Sequence, residues 1–277
     1  MKVALFSDVQ GNQPAMEVVL EHIHAWNPDL VVLNGDLINR GPNNPQCLEL
    51  FLQFQQQHSS VPIRGNHEEF VLYCAKNPPA NENKAALRQF ADWTTRQLGD
   101  QVQQFAKWAD HLNFHGEEDD QWVHVTHGTL KGNRDGISSS IPDNKLEHKL
   151  PEQIALFVTA HTHKVHERLF KGIQILNIGS VGSPFDGDPR SSYAQLEFHN
   201  GSWRRKIIRL AYDRDRMARD CEESGFLDKG GPLTRVIFEE WRRADLLMPF
   251  WNRRYREAVL DGQISMQKAV DEFLSGV

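Results

Sequence analysis

The sequence predicts an α/β fold with a ligand site at its strand ends, followed by a helical C-terminal extension. Three observations carry this. Short apolar runs alternate with amphipathic helical stretches from the N-terminus onward. Polar clusters rich in Asp, Asn and His follow one apolar run after another. After Tyr212 the pattern changes to charged, helix-favouring sequence.

The runs KVALFS, LVVLN, VPIRG, WVHVTH, LFVTAH and IQILNIG contain β-branched residues and read as short, mostly buried strands. Between the first three lie two helical patterns. Pro14 to Trp26 carries Met16, Val19, Leu20 and Ile23 on one side, and Pro45 to Gln57 carries Leu48, Phe51 and Leu52. This βαβαβ order predicts parallel pairing with right-handed crossovers. Residues 68–112 read as mostly helical with a break at NPPANEN, which places His111 and His115 near a helix end. YAQLEF and SWRRKIIRL around HNG read as a hairpin. The expected organisation is a domain over residues 1–210 and a helical extension over 211–277, the latter broken at GFLDKGGP.

With 277 residues and 39% hydrophobic content, the chain can bury a large core. No apolar run reaches 18 residues and MKVALFSD has no leader character, so the expectation is a cytoplasmic protein with no membrane partner. Cys47, Cys74 and Cys221 show no CxxC spacing and read as buried free thiols. Residues 201–277 hold 15 Lys and Arg against 13 Asp and Glu, leaving 16 against 24 upstream and −6 overall. Such a balance argues against a nucleic-acid partner, which calls for a concentrated basic face. Oligomeric state is not legible.

The polar clusters are SDVQGN, NGDLINRGP, RGNHEE, THG, AHTH and NIGSVGSP, each at a strand end, where open α/β sheets bind ligands. Asp8, Asp36, Asn66, His127, His161 and His163 supply oxygen and nitrogen donors suited to divalent metals, with no thiolate among them.

In order and spacing these clusters resemble the calcineurin-like metallophosphoesterase superfamily: D-x-H, G-D, G-N-H-[DE], H and G-H-x-H, over roughly residues 1–210. The segments GDxxxRGP and GNHE are similar to its Ser/Thr phosphatase and dinucleoside-polyphosphate hydrolase branches. The resemblance implies a four-layer α/β/β/α sandwich. It also implies two divalent metal ions, with Asp8, position 10, Asp36 and His163 around the first and Asp36, Asn66, His127 and His161 around the second. A metal-bridging hydroxide would attack phosphorus directly. By the same resemblance Arg40 holds phosphate oxygens and His67 is the general acid, with Asn66 beside them.

Two positions depart from the family pattern. Gln10 stands where a histidine ligand is expected, and Asn39 stands where the Ser/Thr phosphatases carry an aspartate beside the catalytic histidine. A glutamine carbonyl is neutral and reaches about as far as an imidazole, so the expectation is that Gln10 binds metal and that harder oxygen donors favour Mn, with Fe, Zn, Mg or Ni as other candidates. Asn39 can hydrogen-bond to His67 without stabilising its charged form. The expected activity is hydrolysis of a phosphorylated small molecule, nucleotide or phosphoprotein, with esters ahead of anhydrides. The alternative is a catalytically weak regulator that binds a phosphorylated ligand through an incomplete first metal site.

Other residues carry blander readings. His124 and His127 are three apart on one strand, so only His127 should face the site. FDGDPR, with Arg190, reads as a turn, and Asn12 as a helix cap. Trp241, Trp251 and the arginines around them read as a packed and solvated helix surface.

Overall fold

The computed structural model describes residues 1–116 and 121–277. The first strand, β1 (Lys2–Phe6), is apolar on both faces because both are covered: Val3 and Leu5 point into one core, Ala4 and Phe6 into another. It pairs in parallel with β2 (Leu30–Asn34), which pairs in parallel with β3 (Ser60–Ile63). The crossovers are α1 (Gln13–Trp26) and α2 (Asn44–Gln57). Asn12 caps α1, its Oδ1 accepting from the Ala15 amide at 3.2 Å.

The chain continues through α3 (Asn66–Lys76), α4 (Glu82–Leu98) and a 3₁₀ segment, Gly99–Lys107. Then come β4 (His111–His115), β5 (Trp122–Thr126), the short α5 (Asp143–Leu146), β6 (Leu156–Thr159), β7 (His166–Phe170) and β8 (Ile173–Asn177). The hairpin β9 (Ser191–His199) and β10 (Ser202–Leu210) returns to the first sheet, whose order is β10-β9-β1-β2-β3. The second sheet runs β4-β5-β6-β8-β7. Val3, Leu5 and Val32 of the first sheet meet Val123, Val125 and Val158 of the second in one core. Helices α1 and α2 cover the first sheet's outer face. On the second, Phe157 and Ile175 are covered by Ile137, Leu146 and Leu150, so that outer layer is a loop and the single turn of α5. The four-layer order expected from the sequence is present.

Two strands differ from the sequence reading. His111 and His115 lie on β4, an edge strand that pairs antiparallel with β5, His111 opposite Thr126, and not at a helix end. Four strand residues span about 13 Å, so these two histidines cannot share a metal ion. The strand β7 was hidden because HERLF is polar and exposed at alternate positions, as an edge permits.

Beyond β10 lie α6 (Arg214–Glu223), α7 (Phe226–Lys229), α8 (Leu233–Arg243), α9 (Met248–Leu260) and α10 (Met266–Ser275). They share a core with α4: Phe90 and Trp93 meet Met217, Phe226, Trp241, Trp251 and Phe273. Trp251 is fully buried, and the Trp241 indole donates to the Tyr212 hydroxyl at 2.7 Å. All three cysteines are buried and free. Among the described residues no helix is long and apolar enough to cross a membrane.

Trp251→Ala should cost about 3–5 kcal/mol, the usual loss for a large aromatic removed from a core that cannot collapse around the void. Urea unfolding measures it, and a loss near zero would mean that this cluster contributes little to the folded state.

Candidate metal centre

The polar side chains converge because the loops beyond β1 and β2 continue the ladder of the sheet. Asp8, Gln10 and Gly11 donate their amides to the carbonyls of Gly35, Asp36 and Leu37, each at 3.0 Å. On the other side Val181 and Gly182 donate to the carbonyls of Ser7 and Asp8, both at 2.9 Å. This zipping demands unusual backbone. Of twelve non-glycine residues with positive φ among those described, seven are Asp8, Gln10, Asp36, Asn39, Arg40, His161 and His163. Each such conformation is disfavoured by about 1 kcal/mol or more and persists only where the surroundings impose it. Gly65 answers a different demand: a Cβ there would stand 2.1 Å from Asp36 Oδ1.

The two aspartates are the centre. Asp8 is fully buried, and neither of its carboxylate oxygens accepts a hydrogen bond among the described residues; Asp36 Oδ2 is in the same condition. Around them nitrogens are aimed inward. His163 donates Nδ1–H to the Ser183 carbonyl at 2.5 Å, leaving the Nε2 lone pair 3.0 Å from Asp8 Oδ1. Gln10 Nε2 is 3.3 Å from that same His163 Nε2, and Gln10 Oε1 is buried without a partner among the described residues. His127 donates Nδ1–H to the Asn34 carbonyl at 2.8 Å, presenting Nε2 to Asp36 Oδ2 at 3.3 Å and to Asn66 Oδ1 at 3.0 Å. His161 Nδ1 reaches the same Asn66 oxygen at 2.7 Å.

Imidazole nitrogens facing buried carboxylates call for positive charge between them, a proton or a metal cation, because bare lone pairs and carboxylates repel each other. Donor atoms of Asp8, Asp36 and His127 lie within 4.8 Å of one another. The donor set therefore fits divalent metal. The titration behaviour of the chain's own groups follows the same logic. Burial opposes charge on His127, but the carboxylates of Asp36 and Asp8 outweigh it and push its pKa up to about 10. Burial also opposes charge on Asp36, yet the neighbouring His127 and His67 hold it well below the usual carboxylate range. His161, more weakly compensated, is lowered by burial to about 4.

His67 sits at the start of α3, its amide donating to Asp36 Oδ1 at 2.8 Å and its Nε2 3.9 Å from Asp36 Oδ2. Asn39 Nδ2 is 2.9 Å from its Nδ1, and Asn39 Oδ1 accepts from the Thr94 hydroxyl at 3.1 Å. An amide donor at Nδ1 leaves the ring proton on Nε2. Burial, followed by the opposing charge of Asp36 and the adverse charge of Arg40, lowers the His67 pKa to about 3. Arg40 is one-tenth exposed and pairs through Nη2 with Glu240, which is fully buried. Gln10, Asp36, Arg40, Asn66, His67 and His163 line a cavity of about 1070 Å³.

All nine residues singled out from the sequence gather here. His124 does not: it bonds Asn113 at 2.7 Å and stacks on Phe157, on the other face of its strand. Arg190 pairs with Asp188 on the surface turn. Two residues escaped the sequence reading. Glu68 is fully buried and accepts from the amides of Asp36, Leu37 and Gly65, each at 2.8 Å, fastening α3 to the loop after β2. The final Glu of GNHE was the available signal. Burial, then the charge of Asp36, raises the Glu68 pKa to about 7. Glu240 lies 200 residues from Arg40, and no motif announces it.

A fold of paired five-stranded sheets with a carboxylate and imidazole centre at the strand ends defines a class of metal-dependent phosphoesterases. A family model described as calcineurin-like phosphoesterase matches residues 1–165, and the chain belongs to that family. It is 36% identical over 78 residues to "Bis(5'-nucleosyl)-tetraphosphatase, symmetrical" of Pseudomonas syringae pv. syringae (strain B728a), covering 27% of this chain and 26% of that one. It is 27% identical over 127 residues to the protein of the same name from Pseudomonas syringae pv. tomato (strain ATCC BAA-871 / DC3000), covering 45% and 40%. The matched stretches thus span well under half of those relatives. Among solved structures, a metallophosphoesterase from Sphaerobacter thermophilus superposes with a TM-score of 0.67 at 23% identity, covering 88% of this chain and 100% of that one. A hypothetical protein from Pyrococcus horikoshii OT3 gives 0.70 at 16%, covering 84% and 97%. At such identities the likeness is one of fold.

Glu68→Gln should cost about 1–3 kcal/mol, because an amide turns a donor toward the backbone N–H groups that the carboxylate satisfies. It should also lower metal content. Thermal melting and elemental analysis check both, and unaltered metal content would deny Glu68 its place in shaping the centre.

Proposed function

We propose that the chain hydrolyses phosphorylated small molecules, nucleotides among them, at a two-metal centre. The carrying observation is the pair of buried carboxylates, Asp8 and Asp36, three of whose four oxygens accept no hydrogen bond among the described residues, with Asp36 in the wall of a large cavity. In this reading Asp8, Gln10, Asp36 and His163 hold one divalent cation, and Asp36, Asn66, His127 and His161 the other. Bound there, two such cations supply Lewis acidity and an activated water for in-line attack on phosphorus.

The remaining steps belong to the chain's own residues. Arg40 holds the phosphoryl oxygens as a fork of N–H donors. His67 remains a neutral ring whose Nε2–H hydrogen-bonds to the leaving oxygen, while the proton that oxygen finally takes comes from water. Asn39 fixes this tautomer, which accounts for an amide where charge stabilisation was the family expectation. Gln10 would present its amide oxygen to the cation by reversing the amide whose Nε2 now faces His163, giving the first site mostly oxygen donors and a leaning toward Mn. The relatives' names refer to a tetraphosphatase, so anhydride chemistry gains weight over the ester chemistry ranked first from sequence. Residues 211–277 act as an extension of the 1–210 domain that completes the cavity wall with Arg243, Leu246 and Met248.

Mn-dependent hydrolysis of an aryl phosphate and of a nucleotide anhydride is expected from the wild type, with two metals per chain. Gln10→His should keep turnover and shift metal preference toward Zn. A wild type inert with every divalent metal, with activity appearing only in Gln10→His, would make the chain a ligand-binding regulator.

Glu240 positions Arg40. Its Oε2 holds the guanidinium, while Oε1 accepts from the amides of Leu247 and Met248 at 2.7 and 2.6 Å. Glu240→Ala should raise KM for aryl phosphate about tenfold, the weight of one charge-assisted hydrogen bond, and lower kcat much less. An equal fall in both would point to general disruption instead.

A further inference from the structure

A second cavity, of about 600 Å³, adjoins the catalytic one and shares Arg40 and Met248 with it. Four helices, α3, α4, α8 and α9, line it. Phe70 and Tyr73 come from α3, Lys84 from α4 and Arg256 from α9, with Arg134 on a neighbouring loop. On α9 the lining residues Met248, Asn252 and Arg256 fall at intervals of four, one face of that helix.

The charge of this cavity is one-sided. Five cationic side chains line it and, among the described residues, no Asp or Glu does, in a chain whose net charge is −6. Arg88 is committed elsewhere, to Asp92 and to the carbonyls of Cys74 and Asn77, and Arg40 is held by Glu240. Lys84, Arg134 and Arg256 have no carboxylate partner among the described residues, and all three are exposed. Like charges gathered around one hollow focus a field that attracts anions.

Aromatic surface lies beside this charge. Tyr73 is 57% exposed, and the Arg134 guanidinium sits 5.6 Å from the centre of the Phe70 ring. Exposed rings next to cations suit a ligand that joins a planar ring to phosphates. The spacing is also suitable. Helix α3 begins at Asn66, in the catalytic cavity, and Tyr73 lies seven residues along it, about 10 Å away at 1.5 Å per residue. A chain of several phosphates bridges such a distance, whereas a simple monoester does not use it.

We propose that this cavity binds the remote part of a nucleoside polyphosphate. Lys84, Arg134 and Arg256 hold the distal phosphates and Tyr73 stacks on the base, while the reacting phosphate rests on Arg40. As an assignment of substrate, this rests on the hydrolytic reading above; the binding of the ligand does not.

The test is calorimetric titration of the full chain in EDTA with ATP and, separately, with tripolyphosphate. Wild type is compared with Lys84→Glu, Arg256→Glu and Tyr73→Ala, all exposed positions whose folding is checked by melting. ATP affinity should fall at least about tenfold in each charge reversal, equivalent to 1.4 kcal/mol. Tyr73→Ala should weaken ATP about fivefold or more, the lower end of base stacking, and hold tripolyphosphate as the wild type does. Failure of wild type to bind ATP, or equal affinity in the charge-reversed variants, overturns the proposal. Equal losses of ATP and tripolyphosphate in Tyr73→Ala overturn the base contact. Metal-dependent turnover of an aryl phosphate, measured in parallel, separates the two readings. Turnover without ATP binding in EDTA strikes this cavity alone, whereas reversal-sensitive ATP binding without turnover of any phosphate strikes the hydrolytic reading alone.

Discussion

The attraction between a cation and two buried carboxylates is the interaction on which the rest of the molecule depends. Asp8 and Asp36 are almost wholly buried, and among the described residues three of their four carboxylate oxygens accept no hydrogen bond. Burying such groups unpaired costs several kcal/mol each. The costs are tolerable only if the fold supplies compensating charge, and it does so in a graded way. His127 carries a proton readily in response to both carboxylates, while His163 and Asn66 turn donor atoms toward the same place. The chain has therefore built a place for positive charge before any ligand arrives.

Holding that place requires backbone that sequence propensity disfavours. Seven site residues adopt positive φ, and the loops that carry them are tied to each other by amide-to-carbonyl bonds extending the ladder of β1 and β2. Glu68 performs the same service from α3, gathering three backbone amides around one carboxylate. The strain resides where rigidity matters, because a metal centre tolerates little displacement of its donors.

The C-terminal helices are part of this arrangement. Their core with α4 places α8 so that Glu240 meets Arg40, and α9 so that Met248 stands between the two cavities. The tail's tryptophans and arginines, read from the sequence as a packed and solvated helix surface, divide between a buried core and solvent. Trp251 and Trp241 are packing residues.

By itself the sequence determined the βαβαβ start, the closing hairpin and the nine residues that gather at the centre. These are features in which period or motif order is local: a strand followed by its polar cluster is legible from a dozen residues. It did not show β4 and β7, whose edge positions allow polar alternation, and it mistook His111 and His115 for neighbours on a helix. Nor could it show Glu240 against Arg40, or the cationic hollow between α3, α4 and α9. Those depend on how helices far apart in the chain pack, and packing is decided by the summed fit of many side chains rather than by any short pattern. Only the tertiary structure decided which cations found carboxylate partners and which were left facing an open cavity.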